Sequence, residues 1–151
     1  MINKRPNPWL RGVPPKEVHQ TKVVVCGTRT FTDTKLFQKE MDSFLYWLDP
    51  VTIVVGSDGH RFWDCGWVYR GADYYANLYA IRNWMTRKIF RADWYGKSLA
   101  AGPIRNEKMA KEVAPDGWCI AFWDGESRGT KDMIRAFLRH NPKKQLRIVR
   151  Y

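Results

Sequence analysis

Trp123-Asp124-Gly125-Glu126-Ser127-Arg128-Gly129-Thr130-Lys131-Asp132 is the stretch on which the fold turns. The apolar run before it, 117–122, has the length and continuity of a buried strand. The residues after it, 130–140, repeat their apolar positions at helical spacing. A turn rich in Gly, Ser and Thr between a strand and a helix leaves backbone N–H groups free at the helix start. Those groups and the helix dipole suit an anion such as phosphate. Gly27-Thr28-Arg29, after the strand-like run 22–26, has the same composition. Two such turns in one small unit point to a nucleotide-like ligand rather than a lone phosphate.

Working outward, the rest of the chain alternates in the same way. Thr32 or Asp33 can cap a helix over 34–48, with Leu36, Phe37, Met41, Phe44, Leu45 and Leu48 on one face. A short β-branched strand is expected over 51–55, a helix over 71–85 and a weak strand over 87–91. A further helix over 104–113 follows Pro103, a residue that suits a first turn. A last strand is expected over 145–149. Helices alternating with short, continuously apolar strands predict an α/β fold: a Rossmann-like, three-layer parallel sheet with helices on both faces, in a single domain. Ligands of such sheets bind at the carboxyl ends of the strands, where the Gly-containing turns fall.

Two segments stand outside this rhythm. Residues 1–21 hold four prolines and read as an extended arm, with Trp9 and Leu10 as a docking point. Residues 57–69 form a loop too long for a simple strand–helix turn. It reads either as a lid over a ligand or as a flap packed on the arm or on a neighbouring subunit.

Composition narrows the setting. No window is apolar enough for a membrane span or a signal peptide, so a cytoplasmic protein without a membrane partner is expected. Cys26, Cys65 and Cys119 are widely spaced, and Cys26 and Cys119 lie in apolar runs, which predicts buried thiols in a reducing compartment. The net charge of +11 is unevenly distributed. Residues 1–22 carry a net +4 and residues 128–151 a net +7, so 23–127 are neutral overall. The excess reads either as a face for a phosphate-rich partner, nucleic acid included, or as a solvated surface. A homo-oligomer is expected.

The motifs in order resemble a known family. Val25-Cys26-Gly27-Thr28-Arg29, Arg70-Gly71-Ala72-Asp73, Ala92-Asp93-Trp94, Gly96-Lys97, Ala101-Gly102-Pro103-Ile104-Arg105-Asn106 with Met109, and Gly129-Thr130-Lys131-Asp132-Met133 resemble the YspA-related branch of the SLOG superfamily, the group of Lonely Guy and lysine-decarboxylase-like domains. The resemblance spans about residues 22–150. It implies a Rossmann-like fold and a site for nucleotides or nucleotide-derived ligands, with no further cofactor. The superfamily holds ligand sensors as well as the Lonely Guy phosphoribohydrolases, which cleave the base from a nucleoside monophosphate. Those enzymes carry Pro-Gly-Gly-x-Gly-Thr-x-x-Glu. Here Gly129-Thr130 are in place, Met133 stands where the Glu would be, and Asp124 or Gly125 stand near the Pro-Gly pair. Without that carboxylate, glycosidic hydrolysis loses its expected acid/base group.

The resemblance and the turns together nominate ligand-binding residues. Gly27, Thr28 and Arg29 would form the first phosphate turn, or a plain connector. Ser127, Arg128, Gly129 and Thr130 would form the second. Arg70, Gly71 and Asp73 start a helix, where Asp73 would accept from a ribose hydroxyl or simply favour the dipole. Gly102, Arg105 and Asn106 follow, with Arg105 as a bidentate phosphate clamp or a salt-bridge partner of Glu107 or Glu112. Lys97 would reach a phosphate or lie in solvent. Trp123, beside the second turn, is the foremost stacking candidate, with Trp63, Trp67 and Trp94 behind it. His60, Asp58, Asp64 and Cys65 share a loop but lack metal-ligand spacing, so no metal is expected.

Three functions fit these residues. The first is binding of a nucleotide-derived small molecule, ADP-ribose-like or a cyclic nucleotide, by a sensor or a sequestering protein. A basic, free-standing unit of this kind suits a viral or mobile-element gene that captures a host signal. The second is hydrolysis of an N-glycosidic or phosphate bond, with Asp73, Asp93, Asp124 or Asp132 supplying the carboxylate. The third is single-stranded nucleic-acid binding through the basic ends and aromatics.

Overall fold

Val23, Val24, Val25 and Cys26 are all buried, and they point alternately into two different helix layers. That alternation makes β1 (Thr21–Gly27) the centre of the molecule. The computed structural model describes residues 20–48, 50–57, 60–62, 66–68 and 70–151, with the backbone alone for 60–62 and 66–68. The elements after β1 are α1 (Thr34–Phe44), β2 (Val51–Val55), the short strands β3 (His60–Phe62) and β4 (Gly66–Val68), and α2 (Ala72–Arg82). Then come β5 (Thr86–Ile89), α3 (Trp94–Lys97), α4 (Ala101–Val113), β6 (Trp118–Trp123), α5 (Arg128–His140) and β7 (Leu146–Arg150).

The main sheet has five strands in the order β5-β2-β1-β6-β7, and every pairing is parallel. Val23, Val25, Ile53, Ile120 and Phe122 face α1 and α2, where they meet Phe37, Met41, Ala76 and Ala80. Val24, Cys26, Val54, Cys119 and Ala121 face α4 and α5, where they meet Met109, Ala110, Met133 and Phe137. The fold is therefore a three-layer, Rossmann-like α/β domain, as the pattern of short apolar strands predicts. Strand order reverses between β1 and β6: the chain builds outward to β5, then crosses back to add β6 and β7. The carboxyl ends of β1 and β6 flank the switch point, the place where parallel sheets accept ligands.

Several element boundaries differ from the sequence reading. The first helix stops at Phe44 rather than 48, and a turn follows. Leu45 is fully buried all the same, so the apolar period runs on past the last helical residue. The helix expected over 71–85 is likewise shorter, ending at Arg82. The fourth helix begins at Ala101, ahead of Pro103, which sits inside its first turn. The last helix begins at Arg128 because Ser127, not a later residue, caps it. Asp33 is the cap of α1, its Oδ1 accepting from the Leu36 N–H at 2.9 Å.

The segment read as one long loop holds a small antiparallel ribbon, with His60 paired to Val68 and Phe62 to Gly66. The arm expected over 1–21 lies outside the described residues up to position 19; Thr21 already belongs to β1. Cys26 and Cys119 are buried free thiols. Cys65, Asp58, Asp64, Trp9, Leu10 and Trp63 lie outside the described residues, as do the side chains of His60 and Trp67. Among the described residues, no helix is long and apolar enough to cross a membrane, and no three His, Cys, Asp or Glu side chains cluster to hold a metal.

Candidate functional site

Gly27 ends β1 at a crowded point of the carboxyl edge. A Cβ there would stand 2.6 Å from both the Ala72 Cβ and the Phe122 carbonyl oxygen. Only glycine lets the end of β1, the end of β6 and the start of α2 meet this closely. The strand pairing continues one step further, with the Thr28 N–H donating to Phe122 O at 3.0 Å. The chain then takes residues 28–33 to reach α1, which Asp33 caps. Gly27-Thr28-Arg29 is therefore not the start of α1. It packs instead against the N-terminus of α2, where Gly71 is the N-cap with φ +94° and its N–H donates to Phe31 O at 3.0 Å. A Cβ on Gly71 would lie 3.0 Å from the Arg29 carbonyl oxygen.

This arrangement brings together polar groups from both helix layers. Asp73 sits in the first turn of α2. Its carboxylate has no hydrogen bond or ion pair among the described residues, and desolvation raises its pKa to about 6 from an ordinary 3.8. Arg105 and Arg29 lie near enough to pull it down, but burial prevails. Arg105 comes from α4, on the opposite layer. Its Nη1 donates to Gly56 O at 2.9 Å, and its Nε to Asn106 Oδ1 at 3.0 Å. A side chain on Gly56, the residue after β2, would collide with this guanidinium. Burial lowers the Arg105 pKa, against the opposing pull of Asp73. Glu107 and Glu112 do not pair with Arg105: Glu107 bonds Arg139 and His140, and Glu112 bonds Lys22 and Lys88. Arg105 keeps further N–H donors available.

Thr28 follows Gly27 at the same strand end. The residue is 9% exposed, and its buried Oγ1 makes no hydrogen bond among the described residues. It faces the Asp124 carboxyl and the Tyr151 hydroxyl closely enough to pull both pKa values down, at a geometry short of a full hydrogen bond. A buried hydroxyl without a partner costs free energy, and such groups are rare. Arg29 is exposed and lies over the Trp94 ring, 5.8 Å from its centroid.

The second turn is arranged differently from a vacant phosphate cradle. Asp124 Oδ1 accepts from the N–H groups of Glu126 at 2.9 Å and Ser127 at 2.8 Å. Those two bonds, Ser127 first, hold the Asp124 carboxyl below its usual range. Ser127 Oγ accepts from the Thr130 N–H at 3.4 Å and shares a bond with Thr130 Oγ1 at 3.1 Å. An internal carboxylate thus occupies part of the expected anion position. The N–H groups of Arg128 and Gly129 have no acceptor among the described residues, and the space around Gly129 is open.

Asn106 ties this turn to the rest of the site. It is buried, and its Nδ2 donates to Asp132 Oδ2 at 2.8 Å and Gly129 O at 3.4 Å. Asp132 is thereby engaged in holding α4 to α5. Asp93 caps α3 locally, its Oδ1 accepting from the Gly96 N–H at 2.9 Å. Of the carboxylates nominated for acid/base work, Asp73 is the one left without a hydrogen bond. Trp123 donates its ring N–H to Ser127 O at 3.1 Å, and Arg150 covers its ring at 5.1 Å, so it serves to brace the second turn. Trp94, behind Trp123 in the sequence reading, lies next to Arg29, with Gly102 packed against its ring. Arg70 is exposed at the entry to α2. The side chain of Lys97 lies outside the described residues.

Two contributors escaped the sequence reading. Gly56 supplies the carbonyl that seats Arg105; its signal is a glycine placed directly after the β-branched run 51–55. Tyr151 packs on Phe31, 4.8 Å between ring centroids, and reaches toward Thr28. Nothing in the local sequence marks it. No family model matches the chain, and no curated protein or solved structure is similar enough to count as a match.

Proposed function

We propose that the protein binds a nucleotide-derived small molecule, ADP-ribose-like or a cyclic nucleotide, at the carboxyl edge of β1, β2 and β6. One observation carries this reading. Asp73 and Arg105 face each other across the end of β1 with hydrogen-bonding capacity that the protein itself does not use, and the Thr28 hydroxyl is buried one residue past that end. In this reading Arg105 and Arg29 hold phosphate oxygens. The Arg128 and Gly129 N–H groups add a second anion contact. Asp73 accepts from a ribose hydroxyl, and Thr28 Oγ1 gains the partner it lacks. Trp94 offers a ring surface beside Arg29. Isothermal titration with ADP-ribose, AMP and a cyclic dinucleotide tests the reading. Binding of one of them, weakened at least about tenfold by Arg105→Ala, is expected; no binding of any nucleotide contradicts it.

Asp73 also favours a second reading, hydrolysis of an N-glycosidic bond. A carboxyl that titrates near 6 and has no internal hydrogen bond is suited to general acid/base work. Water would add across the sugar–base bond, its hydroxyl going to the sugar carbon and a proton to the departing base. Release of free base from a nucleotide, abolished by Asp73→Asn with binding retained, is the outcome that favours this reading.

A further inference from the structure

Lys108 and Lys111 on α4, and Arg128, Lys131 and Arg135 on α5, are all exposed, and none has an acidic partner among the described residues. The acids of these two helices are engaged elsewhere: Glu107 with Arg139 and His140, Glu112 with Lys22 and Lys88, Asp132 with Asn106. Spacings of three and four place the cations of each helix on its outward side. The α5 row extends about 10 Å along the helix axis. Three of the eight cations of residues 128–151 lie on this face.

The row is also placed against the local field. Arg128 and Lys131 stand at the N-terminal end of α5, where the helix dipole disfavours cations, and the first turn contains no acid. An external anion along this face relieves both the dipole conflict and the mutual repulsion. At the carboxyl edge, beside the N-terminal end of α4, α3 presents Trp94 and Tyr95, 46% and 90% exposed. A cation row leading to solvent-facing rings matches single-stranded nucleic acid, whose phosphates meet the cations and whose bases stack on the rings. A duplex hides its bases and has no use for Tyr95.

We infer that the outer face of α4 and α5 binds single-stranded nucleic acid, with Tyr95 stacking a base at its end. The inference stands apart from the small-molecule site, because Lys108, Lys131, Arg135 and Tyr95 take no part there. The test is fluorescence anisotropy with a labelled oligothymidylate about a dozen nucleotides long, between about 50 and 200 mM salt. The chain should bind, with affinity falling steeply as salt rises. Combined Lys108→Ala, Lys131→Ala and Arg135→Ala should cut affinity at least about tenfold and reduce the salt slope by about 2. Tyr95→Ala should weaken binding about five- to tenfold or more with the slope unchanged. A control that removes two exposed cations elsewhere, Lys35→Ala with Lys39→Ala on α1, should keep nearly native affinity and lose far less than the double variant Lys131→Ala with Arg135→Ala. Four results overturn the inference: no binding at low salt, an unaffected triple variant, equal loss in the α1 control, or equal affinity for a duplex or for phosphatidylserine vesicles.

Discussion

Arg105 Nη1 donates to the Gly56 carbonyl at 2.9 Å, and its guanidinium fills the space into which a side chain on residue 56 would project. The seat of the arginine is thus the missing side chain of a strand-terminal glycine. Gly56→Ala should displace Arg105 from the site. We expect a stability loss of about 1–3 kcal/mol from the steric conflict, and nucleotide affinity reduced at least as far as in Arg105→Ala. Calorimetric titration of the folded variant checks this; native affinity in Gly56→Ala would show that the seat does not matter.

Asp73 is held partly dry beside two arginines that it does not bond. A carboxyl raised to about 6 in the folded state, from 3.8, favours folding when protonated. Its contribution is therefore fully present below about 3.8 and is lost as pH rises through about 6. Asp73→Asn should stabilise the protein at neutral pH, by up to about 2 kcal/mol. The gain should vanish near pH 3.8, where the native residue is already neutral. Thermal melts across this range decide the matter, and a variant less stable than the native chain at neutral pH would refute the assignment.

Thr28 offers a test that separates stability from binding. Valine has nearly its shape and lacks the hydroxyl, which is buried without a partner. Thr28→Val should leave stability unchanged or raise it by about 1 kcal/mol. The same variant should bind ligand about tenfold less well. A clear loss of stability in urea denaturation would mean that the hydroxyl serves the fold.

Asn106 joins α4 to α5 through Asp132 and Gly129, and it accepts from Arg105 Nε. Asn106→Ala should cost about 2 kcal/mol, since it strands buried polar partners. Asn106→Asp should cost more at neutral than at acidic pH, because it sets a second carboxylate against Asp132. Chemical denaturation at two pH values reads both.

The sequence shows the layers well because parallel strands buried on both faces are short, continuous and apolar. The runs 22–26 and 51–55 both form strands of the sheet. Helix ends were less legible. Leu45 is buried beyond the end of α1, and periodicity alone does not separate a buried turn residue from a helical one. Within the site, Asp73, Arg105 and Asn106 carry local signals: a first-turn acid, and an arginine one turn after Gly102-Pro103. The seat at Gly56 is a contact between residues far apart in the chain: the run 51–55 marks the glycine, but no local pattern encodes the arginine it receives. The sequence offers Asp124 as a catalytic carboxylate, and its role in folding the second turn is not visible there. Its two N–H bonds follow from the fold of the loop itself.

The most direct measurement is native mass spectrometry of the intact chain after incubation with ADP-ribose, AMP and a cyclic dinucleotide, repeated with Arg105→Ala. The account predicts one ligand per chain at unchanged mass, lost or strongly reduced in the variant. No adduct with any nucleotide, or an adduct equally abundant in Arg105→Ala, would contradict it.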